Sequence, residues 1–516
     1  MRKRELIKNV GSSWFSLGCN ILVGIFLSPF ILHRLGNTAY GAWILVFSVT
    51  GYYGLFDLGI RSSIIRYVST YTATNDIEGV SRLINTSLAV YTAIGTAALV
   101  TTLVVSGFLE SFFHMPPGFL PTARVLFLMV GTAVALGFPA GVFTGILEGL
   151  NRFYFVNVTN LAATLLRAVL IVLALNFGYG LIAVASITVA LPLLGAVVRA
   201  VIALRVLPLR FGRKYIARGA FGEIASYSGV SFILMIAYKL RFKTDEIVIA
   251  KMLSVAAVTY FSIGDRLVDY TGELVSSLAQ IFVPMSGQSD AKGDTEQLRR
   301  ILIAGNRACA LIVFPIATTL IILGKSVIAA WVGERYVKAC YPVMLTVLIP
   351  STFLLAQAAS PRILYGMAKH RSLAWVTGME AIANLILSVA LIPRLGLVGD
   401  ALGTAIPLTC TALFFLPRHL CRRLNVRIGF FLRTAYTLPI LLCAPSVAAL
   451  LLMRHWFFAR TYGQVGLQIL IGLAPYGIGL AWAISRGRLW EVDGISAKKE
   501  LAAIETTSFE VPMEKL

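Results

Sequence analysis

Apolar runs of roughly twenty or more residues, parted by short polar stretches, recur from one end of the chain to the other. A helix needs about 20 apolar residues to cross a hydrocarbon core about 30 Å thick. By that measure fourteen spans fall at 11–33, 40–62, 83–109, 121–147, 154–176, 181–204, 226–251, 257–285, 301–323, 341–365, 373–393, 397–417, 432–453 and 464–484. The longest interior loop is then only about twenty residues, which leaves no room for a soluble catalytic domain. In lipid every backbone donor and acceptor must be satisfied within its own helix or in a closed barrel, and the alternating ten-residue pattern of a barrel is absent. The expected fold class is an all-α polytopic membrane protein. Pro29, Pro139, Pro192, Pro284 and Pro315 lie inside spans and predict kinks lining a cavity.

Composition sharpens this picture. Of 516 residues, 58% are hydrophobic and 13% charged, with a mean hydropathy of +0.81, which rules out the three soluble domains that length alone suggests. The formal net charge is +21, from 45 Lys and Arg against 24 Asp and Glu. In a soluble chain that excess would point to nucleic acid; here it alternates from loop to loop. With the N-terminus inside, 27 basic residues fall on inner loops and 8 on outer ones, counting Lys251 and Arg433 at the span edges with their loops. Cytoplasmic loops carry such an excess, so both termini are expected in the cytoplasm, with the cations against anionic membrane lipid and no nucleic acid required. The basic stretch Met1 to Lys8 leads into an apolar run of over twenty residues without a small-residue cleavage site, as in a retained first helix.

Catalytic and cofactor signatures are missing from the sequence. Cys19, Cys309, Cys410 and Cys443 sit in apolar segments, Cys421 in a basic loop and Cys340 beside an outer loop, with no disulfide framework or metal spacing. There is no GxxxxGK[ST] phosphate loop, and His33, His114, His370, His419 and His455 form no metal or protease cluster. The reading is a non-enzyme with no cofactor and no metal.

Charges inside the spans carry the functional signal, because an ionisable side chain at mid-membrane costs about 2.5 to 3.5 kcal/mol and must face a cavity or a partner. Arg61, Arg199, Arg307 and Arg362 lie toward the cytoplasmic ends of their spans, where they could snorkel to headgroups. The seventh span holds Lys239, Arg241, Lys243, Asp245 and Glu246; on a helix Lys239, Lys243 and Glu246 share a face, with Arg241 and Asp245 opposite. Two internal ion pairs would leave one cation in excess. In the eighth span Asp265, Arg266, Asp269, Glu273, Ser276, Ser277 and Gln280 project within about 120° of one another, a polar stripe that fits either a wet lumen or a polar neighbouring helix. Arg167, Glu380 and Asp57 add single charges. Together they predict a hydrated, mixed-charge, somewhat cationic cavity suited to an amphiphile with an anionic headgroup. Arg167, Lys239, Lys243 and Arg266 are the candidate phosphate-binding groups, and Asp57, Asp265, Asp269, Glu273 and Glu380 the candidate coupling groups for H+ or Na+.

A shift of 218 residues aligns Leu35 with Leu253, Ala39 with Ala257, Tyr52 with Tyr270 and Gly54 with Gly272. It implies an internal repeat of six helices per half. The domains expected are a bundle at 1–204, a basic hinge at 205–225, a second bundle at 226–420, two extra helices at 421–485 and a cytoplasmic tail at 486–516.

The stretch Phe30-Ile-Leu-His-Arg-Leu35-Gly36-Asn-Thr-Ala-Tyr40-Gly41-Ala-Trp43, with Gly54-Leu-Phe-Asp57-Leu58-Gly59 and Arg66-Tyr67, resembles the N-terminal signature of polysaccharide biosynthesis proteins. These are the flippase branch, O-antigen flippases included, of the multidrug, oligosaccharidyl-lipid and polysaccharide exporter superfamily. Asp245, Leu253 and Tyr260 form a second match, and the resemblance covers roughly residues 8 to 420. It implies a V of two six-helix bundles plus two peripheral helices. It also implies alternating access in a bacterial inner membrane, and undecaprenyl-pyrophosphate-linked oligosaccharide as substrate, with a polysaccharide polymerase and glycosyltransferases as partners. Where the family commonly has Arg two positions before the acid of the seventh span, this chain has Lys243. Two alternatives stay open: a cation-coupled multidrug antiporter of the same superfamily, and a non-transporting scaffold for glycosyltransferases.

Overall fold

The computed structural model describes residues 3–57, 60–113, 118–216, 244–456 and 458–487. Every regular element among them is helical. In chain order these are α1 (Lys3–Gly51), α2 (Ile60–Ala73), α3 (Ile77–Phe112), α4 (Leu120–Gly149), α5 (Phe153–Asn176), α6 (Leu181–Val206), α7 (Asp245–Met252), α8 (Val255–Ala279) and α9 (Phe282–Ala291). Then come α10 (Thr295–Val332), α11 (Glu334–Ala356), α12 (Ala359–Gly366), α13 (Arg371–Leu395), α14 (Leu397–Cys410), α15 (Leu416–Arg423), α16 (Ile428–Trp456) and α17 (Tyr462–Ser485).

Among the described residues, eleven helical stretches are long and apolar enough to cross a membrane. The first, Trp14–Asp57, covers two of the expected spans, because α1 runs on through the expected loop and is broken only at Gly36 (φ 79, ψ 172). Only glycine holds that positive φ without steric cost. The expected span 40–62 ends earlier than drawn, at Gly51, giving way to a 3-10 turn at Tyr52–Asp57 before α2 begins. α8 falls short of the apolar measure, since Asp265, Arg266, Asp269 and Glu273 crowd one window of it. Most of the expected span 226–251 lies outside the described residues. Helix α10 overshoots its expected span at both ends: 38 residues at 1.5 Å each give about 57 Å, nearly twice a hydrocarbon core. Its first turns, Thr295 to Arg300, are polar, so a hydropathy measure cannot see them.

The 218-residue offset reappears in local structure. Asp76 caps α3 by accepting from the Gly79 backbone N–H at 2.7 Å, and Asp294 caps α10 by accepting from Gln297 at 2.8 Å. Before each cap stands a residue with positive φ, Asn75 and Gly293. One turn on, Glu78 pairs with Arg82 at 3.6 Å and Glu296 with Arg300 at 3.0 Å. Farther along, Gly178 and Gly396 turn the chain with positive φ at the same spacing. N-terminal side-chain caps and left-handed turns are sequence-coded start and stop signals, so their shared offset is a stronger mark of repetition than a few matched letters.

The described residues gather into two compact units, one of Met1–Ser262 with Thr377–Asp400, the other of Ile263–Val376 with Ala401–Leu516. In the first, α3, α4 and α6 pack through Val80, Leu83, Ile84, Val142, Ile146, Leu147 and Ala203, with α2 seated by Ile64 and Val68. In the second, α10 is the axis, and α11, α12, α16 and α17 pack along it. The last two helices are bound into this unit by polar ties: Tyr476 Oη donates to the Leu311 carbonyl at 2.5 Å, and Tyr462 Oη to the Trp331 carbonyl at 3.3 Å. Arg307 does not snorkel, as its place in the span had suggested. It is buried and donates Nε and Nη2 to the Thr434 carbonyl of α16 at 3.2 and 2.7 Å.

Candidate functional site

The two stretches that carry the family resemblance meet within the first unit. Asn37 Nδ2 donates to Tyr260 Oη at 2.8 Å, Thr259 Oγ1 to the Asn37 carbonyl at 2.7 Å, and Ser48 Oγ to Glu246 Oε2 at 3.2 Å. Tyr52 Oη and Thr244 Oγ1 lie 2.6 Å apart at the end of this seam. The offset of 218 carries Asn37 onto Val255 and Gly41 onto Thr259. The contacts Asn37–Thr259 and Gly41–Val255 are thus images of each other, as across a two-fold interface.

Gly41 is fixed by this closeness: a Cβ there would stand 2.0 Å from the Val255 carbonyl oxygen, a backbone atom that cannot step aside. Gly41→Ala is expected to cost about 1 to 3 kcal/mol of stability, the range for overpacked sites. A fall in the thermal unfolding midpoint of the detergent-purified protein checks it. Gly18→Ala, with nothing within 4 Å, is the control that stays unchanged.

Other polar groups of the first unit are engaged pairwise. Asp57 accepts from Tyr91 Oη, and Arg61 Nε donates to Glu148 Oε2 at 3.1 Å. Arg199 reaches Thr144, Thr159 and Asn160 at 3.1, 3.2 and 2.9 Å. Arg167 stands apart. It is half-buried on α5, one turn from Thr164, whose hydroxyl donates to Asn20 Oδ1 at 3.0 Å, yet it makes no hydrogen bond or ion pair with any other described residue. Glu380 is buried on α13 with Asn384 and Ser388 at four-residue spacing, one face of a helix, and Ser388 Oγ donates to the Asp400 carbonyl at 3.3 Å.

In the second unit the charged stripe of α8 lies on its accessible side. Arg266, Glu273 and Gln280 recur at seven-residue spacing and are exposed, Asp265, Asp269, Ser276 and Ser277 are half-buried, and Val268, Val275 and Ala279 point into the core. Arg266 Nη1 lies 3.7 Å from Asp269 Oδ2, the two side chains 44% and 41% exposed, and its guanidinium sits 4.7 Å from the centroid of the Tyr270 ring. This is an open, hydratable arrangement rather than a dry pair. Turned so that its oxygen faces Arg362, the Gln280 carboxamide accepts from the guanidinium at 3.2 Å.

Lys239, Arg241 and Lys243 lie outside the described residues. Asp245 and Glu246, which follow them, are buried. Asn37, Ser48, Tyr91 and Asn384 are neutral polar groups, with no charge to mark them as site residues in the sequence. The Glu380, Asn384, Ser388 spacing was visible and would have marked a polar helix face. Asp400, inside the expected span 397–417, is wholly buried near the start of α14.

A chain of Bacillus subtilis, the uncharacterized membrane protein EpsK, is 23% identical over 424 residues, covering 80% of this chain and 83% of that protein. A Shigella flexneri protein named as an O-antigen transporter is 19% identical over 417 residues, covering 79% and 96%. Among solved structures the fold is shared with the lipid II flippase MurJ in an inward closed conformation, at a TM-score of 0.71 and 14% identity over 94% of this chain and all of that one. It is shared also with an inward-facing multidrug resistance MATE family transporter of the MOP superfamily, at 0.66 and 14% over 79% and 94%. The family model described as polysaccharide biosynthesis protein matches residues 31–341, more than half of the sequence. With both of its signature stretches joined in one seam and all described elements helical, the chain belongs to the polysaccharide biosynthesis protein family.

Proposed function

We propose that the chain carries a lipid-linked oligosaccharide from the cytoplasmic to the outer leaflet of a bacterial inner membrane by alternating access, for surface polysaccharide or O-antigen assembly. The observation that carries this reading is the accessible charged stripe of α8, with Arg266 at its head. Such a row cannot rest against hydrocarbon, so it lines a wet path that a sugar-phosphate headgroup can follow while its lipid tail stays in the bilayer. Arg167, without an ion-pair partner among the described residues, supplies a second cation, and Lys239 and Lys243 a third and fourth. Asp57, Asp265, Asp269, Glu273 and Glu380 are the acidic groups available for H+ or Na+ coupling. Bundles at 1–204 and 226–420, joined by the hinge at 205–225, would rock about the site, with 421–485 as added helices and 486–516 as a tail. Names of the relatives, an O-antigen transporter and a lipid II flippase, support the substrate class.

Two measurements test it. A strain lacking the chain is expected to lose surface polysaccharide and keep its drug susceptibility; the reverse result would favour multidrug antiport, which the α8 stripe, with three carboxylates to one guanidinium, also fits. Lys239→Ala with Lys243→Ala is expected to lower export at least about tenfold, because a hydrogen bond from a cation to phosphate contributes about 1.5 kcal/mol or more. Normal export by the double variant, with failure caused instead by changes in 205–225, would favour the scaffold.

A further inference from the structure

The segment that follows α6 is a short loop whose backbone is held from inside the first unit. Asn85 of α3, itself more than nine-tenths buried, donates Nδ2 to the Arg210 carbonyl at 2.8 Å and accepts from the Gly212 N–H at 3.1 Å. Ser81, fully buried, accepts from the Arg210 N–H at 3.1 Å. Leu207 and Tyr215 turn into the core on either side. Three hydrogen bonds and two buried side chains therefore fix what the loop shows to the outside.

It shows cations interleaved with apolar side chains. Arg205, Arg210, Arg213 and Lys214 are all exposed, and none forms an ion pair with another described residue. No acidic residue occurs from 205 to 216. Phe211 and Ile216 are 51% and 50% exposed. A loop that merely kept the protein soluble would need neither, and an apolar pair in full contact with water is unfavourable. Both features are satisfied together at the boundary where acyl chains end and charged headgroups begin, at the end of a membrane-crossing helix.

We propose that residues 205–216 form a preset docking site for anionic phospholipid, with Phe211 and Ile216 entering the acyl boundary and Arg210, Arg213 and Lys214 holding the phosphate layer. The buried Asn85 amide acts as the clamp that sets this presentation. The site is independent of the proposed headgroup path, since it uses none of the residues placed there.

The test uses the full chain in nanodiscs carrying Phe211→Trp, whose emission is read as the increment over the same protein with Phe211 intact. The discs are made with brominated phosphatidylglycerol or brominated phosphatidylcholine of the same chain length. Quenching of the added Trp is expected in both, with phosphatidylglycerol enriched around it when the two are mixed. Arg210→Gln with Arg213→Gln and Lys214→Gln should remove that preference, a change of up to about a hundred-fold if each cation contributes about fivefold. The three Lys or Arg exchanges that keep the charge (Arg210→Lys, Arg213→Lys, Lys214→Arg) should retain it, which separates loss of binding from loss of folding. Asn85→Ala, leaving every cation in place, should weaken the preference without abolishing it. In mixed discs, equal quenching whichever of the two lipids carries the bromine, a preference that survives the triple Gln variant, or its removal by millimolar inorganic phosphate at constant ionic strength would each overturn the proposal.

Discussion

Arg266→Ala is expected to reduce surface polysaccharide export by about thirtyfold or more, with the protein still present in the membrane at its normal level. The two halves of this expectation come from the same geometry. Its pairing with Asp269 is an exposed i,i+3 contact at 3.7 Å, and such pairs contribute only about 0.3 to 0.5 kcal/mol to stability. Removing the guanidinium therefore leaves folding nearly untouched. A phosphate held by the guanidinium fork is another matter: each hydrogen bond between charged groups contributes about 1.5 to 3 kcal/mol, and the fork can make two. Arg266→Lys keeps the charge but loses the planar fork, and should fall between wild type and Ala. Surface polymer staining beside an immunoblot of the membrane fraction reads both halves, and full export by the Ala variant would remove Arg266 from the path.

The second large effect is expected from locking the seam. Asn37 and Tyr260 touch at 2.8 Å, and alternating access requires that one end of the molecule open and close. In a version of the chain with its six cysteines replaced, Asn37→Cys together with Tyr260→Cys should be bridged by a short bifunctional thiol reagent. Export is expected to stop on bridging, while either single variant treated alike continues. A reagent with a cleavable spacer should restore activity on cleavage. If bridged protein still exports, this seam does not open during transport, and the moving parts lie elsewhere.

Much of the fold could be read from the letters, because a membrane imposes a length and a polarity that hydropathy measures directly. The exceptions are instructive. Gly36 was placed in a loop, but it is a single non-helical residue within α1, since one positive φ turns the chain without requiring further residues. The first turns of α10, Thr295 to Arg300, escape a hydropathy measure because they hold a single apolar residue, Leu298. For the site, the α8 stripe was legible as a periodicity, and its accessible side is the one the pattern marked. Arg307 was not legible. Whether an arginine near a span end reaches headgroups or a carbonyl depends on the helix packed beside it, here α16, which lies more than a hundred residues further on. The Asn37 seam was hidden for the same reason, since neutral amides and hydroxyls reveal their partners only when distant segments meet.

Helices α16 and α17 began, in the resemblance, as additions to a twelve-helix plan. Their present bonds make them hard to discard. Shortening the gene to end before residue 428 would take from the guanidinium of Arg307 the two hydrogen bonds it donates to the Thr434 carbonyl, and a hydrogen bond to a charged group contributes about 1.5 to 3 kcal/mol. The same cut would bare the apolar flank of α10 that Leu450 now covers. A chain trimmed to twelve helices would therefore have to supply α10 with new cover at Arg307 and beside Ile322 and Leu323.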